Sequence, residues 1–523
     1  MMLLTVCLFL LFSSCLPPVR GCSDSILLPK WYLAVLTTLT AVTVYAWRKS
    51  GRVCGGNNAA AGNVDALPVA ALLVLAYNLV YALVTDVLMP GVYDIHWVYL
   101  RGVFDNTTGF ALNICLLTAL SLPLTVEERR PVWLRRVAYA VLLLAACAVF
   151  ISGCRAGMLC VALMAGMLLA HVICRRWLLW TIAGVILLAV SSLAMNMKNE
   201  STDGRRFILE RTWELILQKP FTGYGWHGFE REYMPSQAEY FKAHPDDGAA
   251  WLADDISHPL NEFLYLWVCF GVTGPIILML MLAVPMYFEI RKTKEEERST
   301  WNVKSVMAVL AVFCLTGYPH LYPLSWFCLL LVYARMLHRW VMKRGTGRAA
   351  AIILTAASMA CMVYIVNEIR HDHEWYLLGR DVRCGHSASA LGGYHRLYPH
   401  YRHDSRFLYS MMFCQYQARQ FCDAADTYGE LSRLCRTYDM ELLMGDVLRQ
   451  DHRPWRALPH YELAHYMVPV RFAPLAGMME AYGMMGDTLR ADSVAHIILS
   501  KPVKVPSVEV DSISAGAMGR ISR

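Results

Sequence analysis

Long apolar runs recur along the first 366 residues and then stop. Eleven can be marked, at about 2–18, 31–47, 65–86, 108–124, 137–153, 156–173, 177–195, 263–289, 305–318, 322–338 and 349–366. A straight helix crosses a bilayer with roughly 20 apolar residues. The short pair 305–318 and 322–338 therefore reads as tilted or broken. After residue 366 the chain turns polar and keeps helical periodicity to residue 523. The expected architecture is all-α: a polytopic membrane part over 1–366 with about eleven transmembrane helices, and a helical domain over 367–523. One long polar loop, 196–262, interrupts the membrane part.

The loops alternate in charge. RKSGR at 48–52, EERRPVWLRR at 127–136, CRR at 174–176, RKTKEEER at 291–298 and HRWVMKRGTGR at 338–348 are basic and fall on one side of consecutive spans. Short basic loops stay in the cytoplasm. That phase expects a cytoplasmic N-terminus. It sets the loop 87–107, the turn SGCRAG at 152–157, the loop 196–262, the turn YPHLY at 318–322 and the whole C-terminal domain outside. The first run lacks a basic leader, so the reading favours a span over a cleaved signal peptide.

The C-terminal stretch carries a weak repeat. Gly445, Ala457, Tyr461, Ala464 and Pro469 have the small–small–aromatic–small–proline spacing of a tetratricopeptide repeat. Ala424 with Tyr428 precedes them by 33 residues, and Ala491 follows Ala457 by 34. Small residues there let two helices approach closely while the aromatic packs between neighbours. Such a superhelix usually binds a partner rather than catalyses. Cys384, Cys414, Cys422 and Cys435 lie on this oxidising side, where a disulfide is chemically allowed but its pairing is not readable.

Composition narrows the class. The chain is 56% hydrophobic and 17% charged, against about a quarter charged in soluble domains. Its net charge of +7 sits in the short basic loops, which excludes nucleic acid as the reason for it. Seventeen scattered cysteines include no CxxC pair and define no zinc site.

Chemistry gathers at the outer ends of the spans. Ser257-His258-Pro259-Leu260-Asn261-Glu262 stands directly before an apolar run. Proline suits a first helical turn, which would start the helix near Pro259 and put His258 and Glu262 on one face. His258 can take a proton near neutral pH, and Glu262 can fix its tautomer. Arg155, in SGCRAG, has almost no loop around it. A charge at that depth is costly unless paired, functional or snorkelled to water. The loop 196–262 holds seven basic and twelve acidic residues, with Arg205, Arg206 and Arg211 near its start. Their plain reading is pairing with Glu210 and Glu214. Their functional reading is a diphosphate clamp, because guanidinium bonds two oxygens at once. His244, Asp246, Asp247, Asp254, Asp255 and His258 could offer metal ligands, but their spacing fits no rigid motif. PFTGYGWHGF is read as a tight backbone turn, not a nucleotide loop.

Four segments in order resemble the O-antigen ligase and polymerase superfamily of bacterial membrane glycosyltransferases. They are GVFDNTTGFALNI at 102–114, FISGCRAGMLCV at 151–162, STDGRRFILERTW with KPFTGYGWHGF, and HPLNEFLYLWVCFGVTG. Cys154 stands where serine is usual, and Pro259 and Leu260 separate His258 from Asn261. The resemblance implies a GT-C-like enzyme of the bacterial inner membrane that moves a glycan from a polyprenyl diphosphate to an acceptor hydroxyl. The acceptor would be lipid A–core in a ligase, another lipid-linked glycan in a polymerase, or protein in an O-oligosaccharyltransferase. By motif, His258 activates the acceptor. Arg155 and Arg205, with Arg211 as second choice, would hold the diphosphate; Asn261 and Glu262 are further candidate substrate-binding residues by their position beside His258. A diphosphate already leaves well, so no metal or cofactor is expected. Expected partners are the glycan donor, the acceptor, the bilayer and a protein bound by the repeats. A transporter would instead place ionisable groups mid-span, and a scaffold gives no reason for Arg155, Arg205 and His258 to occur together.

Overall fold

The structure is a computed structural model that describes residues 11–51, 66–88, 100–127, 130–172, 199–290, 301–341 and 348–522. Among these residues every regular element is helical. Four helices are long and apolar enough to cross a membrane: Ala66–Leu88, Thr107–Val126, Val132–Ile151 and Ile352–Arg383. Shorter apolar helices lie at Leu28–Val44, Arg155–Leu169, Thr273–Phe288, Val303–Thr316 and Pro323–Met336. The run at 177–195 and the start of the run at 2–18 lie outside the described residues. The chain is thus a multi-pass helical membrane protein.

It divides into two compact units, Met1–Met197 with Ile277–His373, and Lys198–Ile276 with Glu374–Arg523. The large loop groups with the C-terminal helices rather than with the spans. The boundary expected at 366–367 falls inside one continuous helix, Arg348–Arg383.

In the first unit, Thr107–Ser121 is the central helix, buried along almost its whole length. It packs against Ala66–Ala82, Val132–Ile151, Arg155–Val172, Trp301–Thr316 and Pro323–Val341. Asn106 caps it: Oδ1 accepts from Gly109 N–H at 2.7 Å, and Nδ2 donates to the hydroxyls of Tyr318 and Tyr322 at 3.1 and 3.2 Å. A cap by asparagine is typically worth about 1 kcal/mol. Leu143 and Leu144 face outward and exposed, as lipid-facing positions do, since water is absent there and only the backbone must be satisfied internally. The buried Lys30 is satisfied by the carbonyls of Ile26 at 2.7 Å and Val103 at 2.9 Å.

In the second unit, the helices Ser387–Tyr401, Ser405–Gln417, Phe421–Leu431, Tyr438–Gln450, Pro454–Met467, Ala473–Met484, Thr488–Ser500 and Val508–Ile521 follow one another through short connections. Neighbours in sequence pack on one another, as consecutive antiparallel hairpins do. Asp404, Thr437, Asp487 and Ser507 each cap the helix they precede. Ala424, Ala457, Ala464 and Ala491 are fully buried. The Tyr461 ring is wedged between two glycines. A Cβ on Gly445 would lie 2.5 Å from its Cε1, and one on Gly477 would clash on the other side. Gly477→Ala is therefore expected to cost about 1–3 kcal/mol as overpacking. Thermal unfolding of the purified variant checks this, and an unchanged midpoint would mean that the ring is free to shift.

Glu441 is fully buried in this stack. Burial alone would raise its carboxyl, but bonds from His460 at 2.7 Å and Arg436 at 2.9 Å hold it below its ordinary value. With Tyr428 also donating at 2.9 Å, the pair is a satisfied structural network rather than an open acid–base site. The four cysteines Cys384, Cys414, Cys422 and Cys435 are free thiols.

The C-terminal helices also share a core with the large loop. Phe229, Tyr233, Met234 and Ala238 pack with Tyr438, Ala464, Met467 and Val468. The buried Gln237 donates to the Met467 carbonyl at 2.6 Å and the Asp254 carbonyl at 3.2 Å. Arg471 pairs with Asp254 at 2.9 Å, and the Arg436 N–H reaches the Glu230 carbonyl at 3.0 Å. The large loop is thus held by the C-terminal helices.

Candidate functional site

The loop forms two helices, Asn199–Gln218 and Gly228–Ala243, then a single tight turn at Gly248–Trp251 and an irregular stretch that leads to the helix Glu262–Phe270. The glycine turn joins these pieces. The Tyr224 and Gly225 N–H groups donate to the carbonyls of Val268 and Cys269, both at 2.8 Å. Val272 N–H donates back to the Pro220 carbonyl at 3.0 Å. These bonds satisfy carbonyls that a helix end leaves orphaned. Gly271 has φ 62°, and a Cβ there would fall on the Phe221 carbonyl. This close approach breaks the apolar run expected as one span at 263–289 into Glu262–Phe270 and Thr273–Ile290. The turn role expected for PFTGYGWHGF is the one observed.

The helix starts at Glu262, not near Pro259. Asn261 is its cap: Oδ1 accepts from the N–H groups of Phe263 at 3.0 Å and Leu264 at 3.2 Å. Before it, Leu260 sits in the left-handed region at φ 57°, which costs a branched residue about 1–2 kcal/mol. The Leu260 N–H donates to His258 Nδ1 at 3.0 Å, which holds that turn. His258 and Glu262 do meet, with Nε2 3.7 Å from Oε2, across this turn rather than along a helix face. Their side chains are 10% and 6% exposed, so a charge on either is poorly hydrated.

This hydrogen bonding has a consequence for protons. A neutral imidazole that accepts at Nδ1 carries its hydrogen on Nε2, here on the side of Glu262. The ring is therefore oriented by the Leu260 backbone, with Nε2 on the side of Glu262. Two further residues, which the sequence reading did not single out, support it. The Tyr265 ring stacks on the His258 ring at 4.8 Å, and the Tyr265 hydroxyl donates to Glu230 at 2.9 Å. His227 Nδ1 lies 4.0 Å from the same Glu230 carboxylate.

The arginines divide. Arg206 pairs with Glu210 at 2.8 Å and is 79% exposed. Arg211 pairs with Glu214 at 2.7 Å and lies 3.9 Å over the Tyr240 ring. Tyr240 in turn donates to Asp247, and the hydroxyl–carboxylate contact raises Tyr240 above its ordinary value. Asp247 is held below the usual carboxylate range, first by the Ala249 N–H and then by Tyr240. Arg205 is exposed on the helix Asn199–Gln218 and makes no ion pair among the described residues. Arg155 lies in the other unit. It opens the helix Arg155–Val172 three residues after Ser152, half-buried, where the helix dipole adds positive potential.

Three of the six residues weighed as metal ligands are committed elsewhere. Asp247 accepts from Tyr240 and Ala249, Asp254 from Arg471, and His244 stacks on Tyr240 at 4.6 Å. His258 and Glu262 remain groups of the kind that bind metals.

Apolar helices and a polar loop with a desolvated histidine–glutamate pair beside the start of one helix are the features of a multi-pass membrane protein with a candidate polar site. Residues 140–279 match the family model described as O-antigen ligase, so this part of the chain is similar to that superfamily. The matched stretch contains Arg155, Arg205, Arg211, His258, Asn261 and Glu262. A search of curated proteins and a search of solved structures found no match.

Proposed function

We propose that the protein transfers a glycan from undecaprenyl diphosphate to an acceptor hydroxyl at the periplasmic face of the inner membrane, as an O-antigen ligase with lipid A–core as acceptor. The observation that supports this reading is that the O-antigen ligase match encloses a desolvated His258–Glu262 pair together with Arg155 and Arg205. The acceptor oxygen attacks the anomeric carbon and its proton passes to the His258–Glu262 pair acting as one base. The bond to the diphosphate breaks, and polyprenyl diphosphate leaves. Arg155 and Arg205 neutralise the charge that grows on the departing phosphate. Preorganised charge of this kind is often the largest catalytic contribution. No metal takes part in this scheme. The C-terminal stack is a tetratricopeptide-like periplasmic domain that holds the loop and offers a protein-binding surface.

The test is transfer by the purified protein from a lipid-linked glycan to lipid A–core, with and without chelator. Transfer in both supports the reading; loss in chelator replaces the His258–Glu262 base with a metal site. In a deletion strain, unmodified core supports the ligase. A single repeat unit on the core would mean a polymerase, and unmodified protein with normal core would mean a protein O-transferase. The side assignment is checked separately: a reporter fused after Arg523 should be active in the periplasm, and one fused at Gly345 in the cytoplasm. The reverse pattern overturns the side on which His258 works.

A further inference from the structure

The helix Asn199–Gln218 shows three faces where a soluble helix shows two. One is buried against the rest of its unit through Phe207, Thr212, Leu215 and Ile216. A second is polar and exposed, with Glu210, Glu214 and Gln218. Between them runs a third, apolar and exposed: Leu209, Trp213 and Leu217. At about 100° per residue these three, four apart, stay within an arc of about 80°. Among the described residues all three stay exposed, with the Trp267 ring meeting Trp213 edge-on at 5.6 Å.

The stripe continues beyond the helix. Phe221 and Trp226, on the glycine turn, are 76% and 73% exposed. That turn is fastened by the Val272-to-Pro220 bond, and by the Trp267 indole N–H on the Pro220 carbonyl at 2.9 Å, to the residues that open the apolar helix Thr273–Ile290. Phe221 and Trp226 therefore lie beside the start of that apolar helix, Trp226 against the Phe270 ring at 5.9 Å. Tryptophan and phenylalanine in this position are what interfacial anchors look like, and Lys219 beside them suits a phosphate headgroup.

We propose that Leu209, Trp213, Leu217, Phe221 and Trp226 form a membrane-docking face, on which the helix Asn199–Gln218 lies in the interface of the leaflet next to the large loop. Its occupant is lipid. The three-faced helix is what this requires: one face for protein, one for acyl chains, one for water. The face fixes the height of the loop above the bilayer, and with it the height of the site that His258 occupies. The inference rests on the membrane character of the chain and does not need the transferase reading.

The test uses the full chain in nanodiscs made with a phospholipid bearing a diazirine in its acyl chain. After photolysis, lipid adducts mapped by mass spectrometry should fall on the peptide 209–226 as well as on the spans. A Leu217→Gln, Phe221→Gln double variant should keep the wild-type melting point in detergent, since both side chains are exposed, and should lose most of the adducts on that peptide. Adducts confined to the spans would overturn the proposal. So would a co-purifying protein that shields 209–226 while no lipid adduct forms there.

Discussion

His258→Ala is expected to lower turnover by roughly 10² to 10⁴, the usual contribution of a positioned base, with insertion and donor binding retained. Glu262→Gln should fall in the same range. The geometry makes the two one unit: the Leu260 N–H on Nδ1 turns Nε2 toward a carboxylate 3.7 Å away. Residues that act as a unit are not additive, so the double variant should be little worse than either single one. Asn261→Ser separates the cap from a contact to substrate. Serine keeps a capping oxygen, and the Asn261 oxygen is already engaged by Phe263 and Leu264, so this variant should stay active. The measurement is transfer of lipid-linked glycan by each purified variant after insertion is verified. Wild-type turnover in properly inserted His258→Ala would sink the base. Wild-type turnover in Glu262→Gln alone would leave the histidine without its partner.

How much of this was legible in the sequence depends on the range of the interaction. The apolar runs located the helices 28–51, 66–88, 107–126, 132–151 and 155–172 because hydrophobic content is a local signal. The same signal failed at Gly271. What breaks that run is the carbonyl of Phe221, some fifty positions earlier in the chain, and a window over 263–289 cannot contain it. His258 and Glu262 were paired for the wrong local reason. The expected helical face is a turn with Leu260 at positive φ, and spacing of four happens to serve both. Tyr265 and Glu230 were missed because their contact crosses 35 positions. The arginines gave a mixed result. Pairing with Glu210 and Glu214 was foreseeable at helical spacing, and Arg206 and Arg211 follow it. The association of the large loop with the C-terminal helices had no sequence signal at all. It rests on Gln237, Arg471 and a shared core, and long-range packing of that kind leaves no periodicity to read.

Arg155→Lys and Arg205→Ala should each cost about 2.7–4 kcal/mol of transition-state stabilisation, by analogy with a lost oxyanion donor, or roughly 10² to 10³ in rate. Lysine keeps the charge of Arg155 but not its two-pronged contact, so the loss should persist in that conservative variant. The neighbouring arginines supply internal controls. Arg206 is 79% exposed and spent on Glu210; Arg206→Ala should leave turnover near wild type, since exposed pairs of this kind are worth about 0–1 kcal/mol. Arg211 is packed over Tyr240 and paired with Glu214. Arg211→Ala should lower the melting point by removing that packing while turnover of the folded fraction changes little. Donor binding, turnover and thermal unfolding, measured on all four variants, separate these roles. If Arg211→Ala is inactive while Arg205→Ala is normal, the diphosphate belongs to Arg211, and its contact with Glu214 must open when donor binds. If all four variants bind and turn over donor normally, the leaving diphosphate is stabilised elsewhere and the clamp falls.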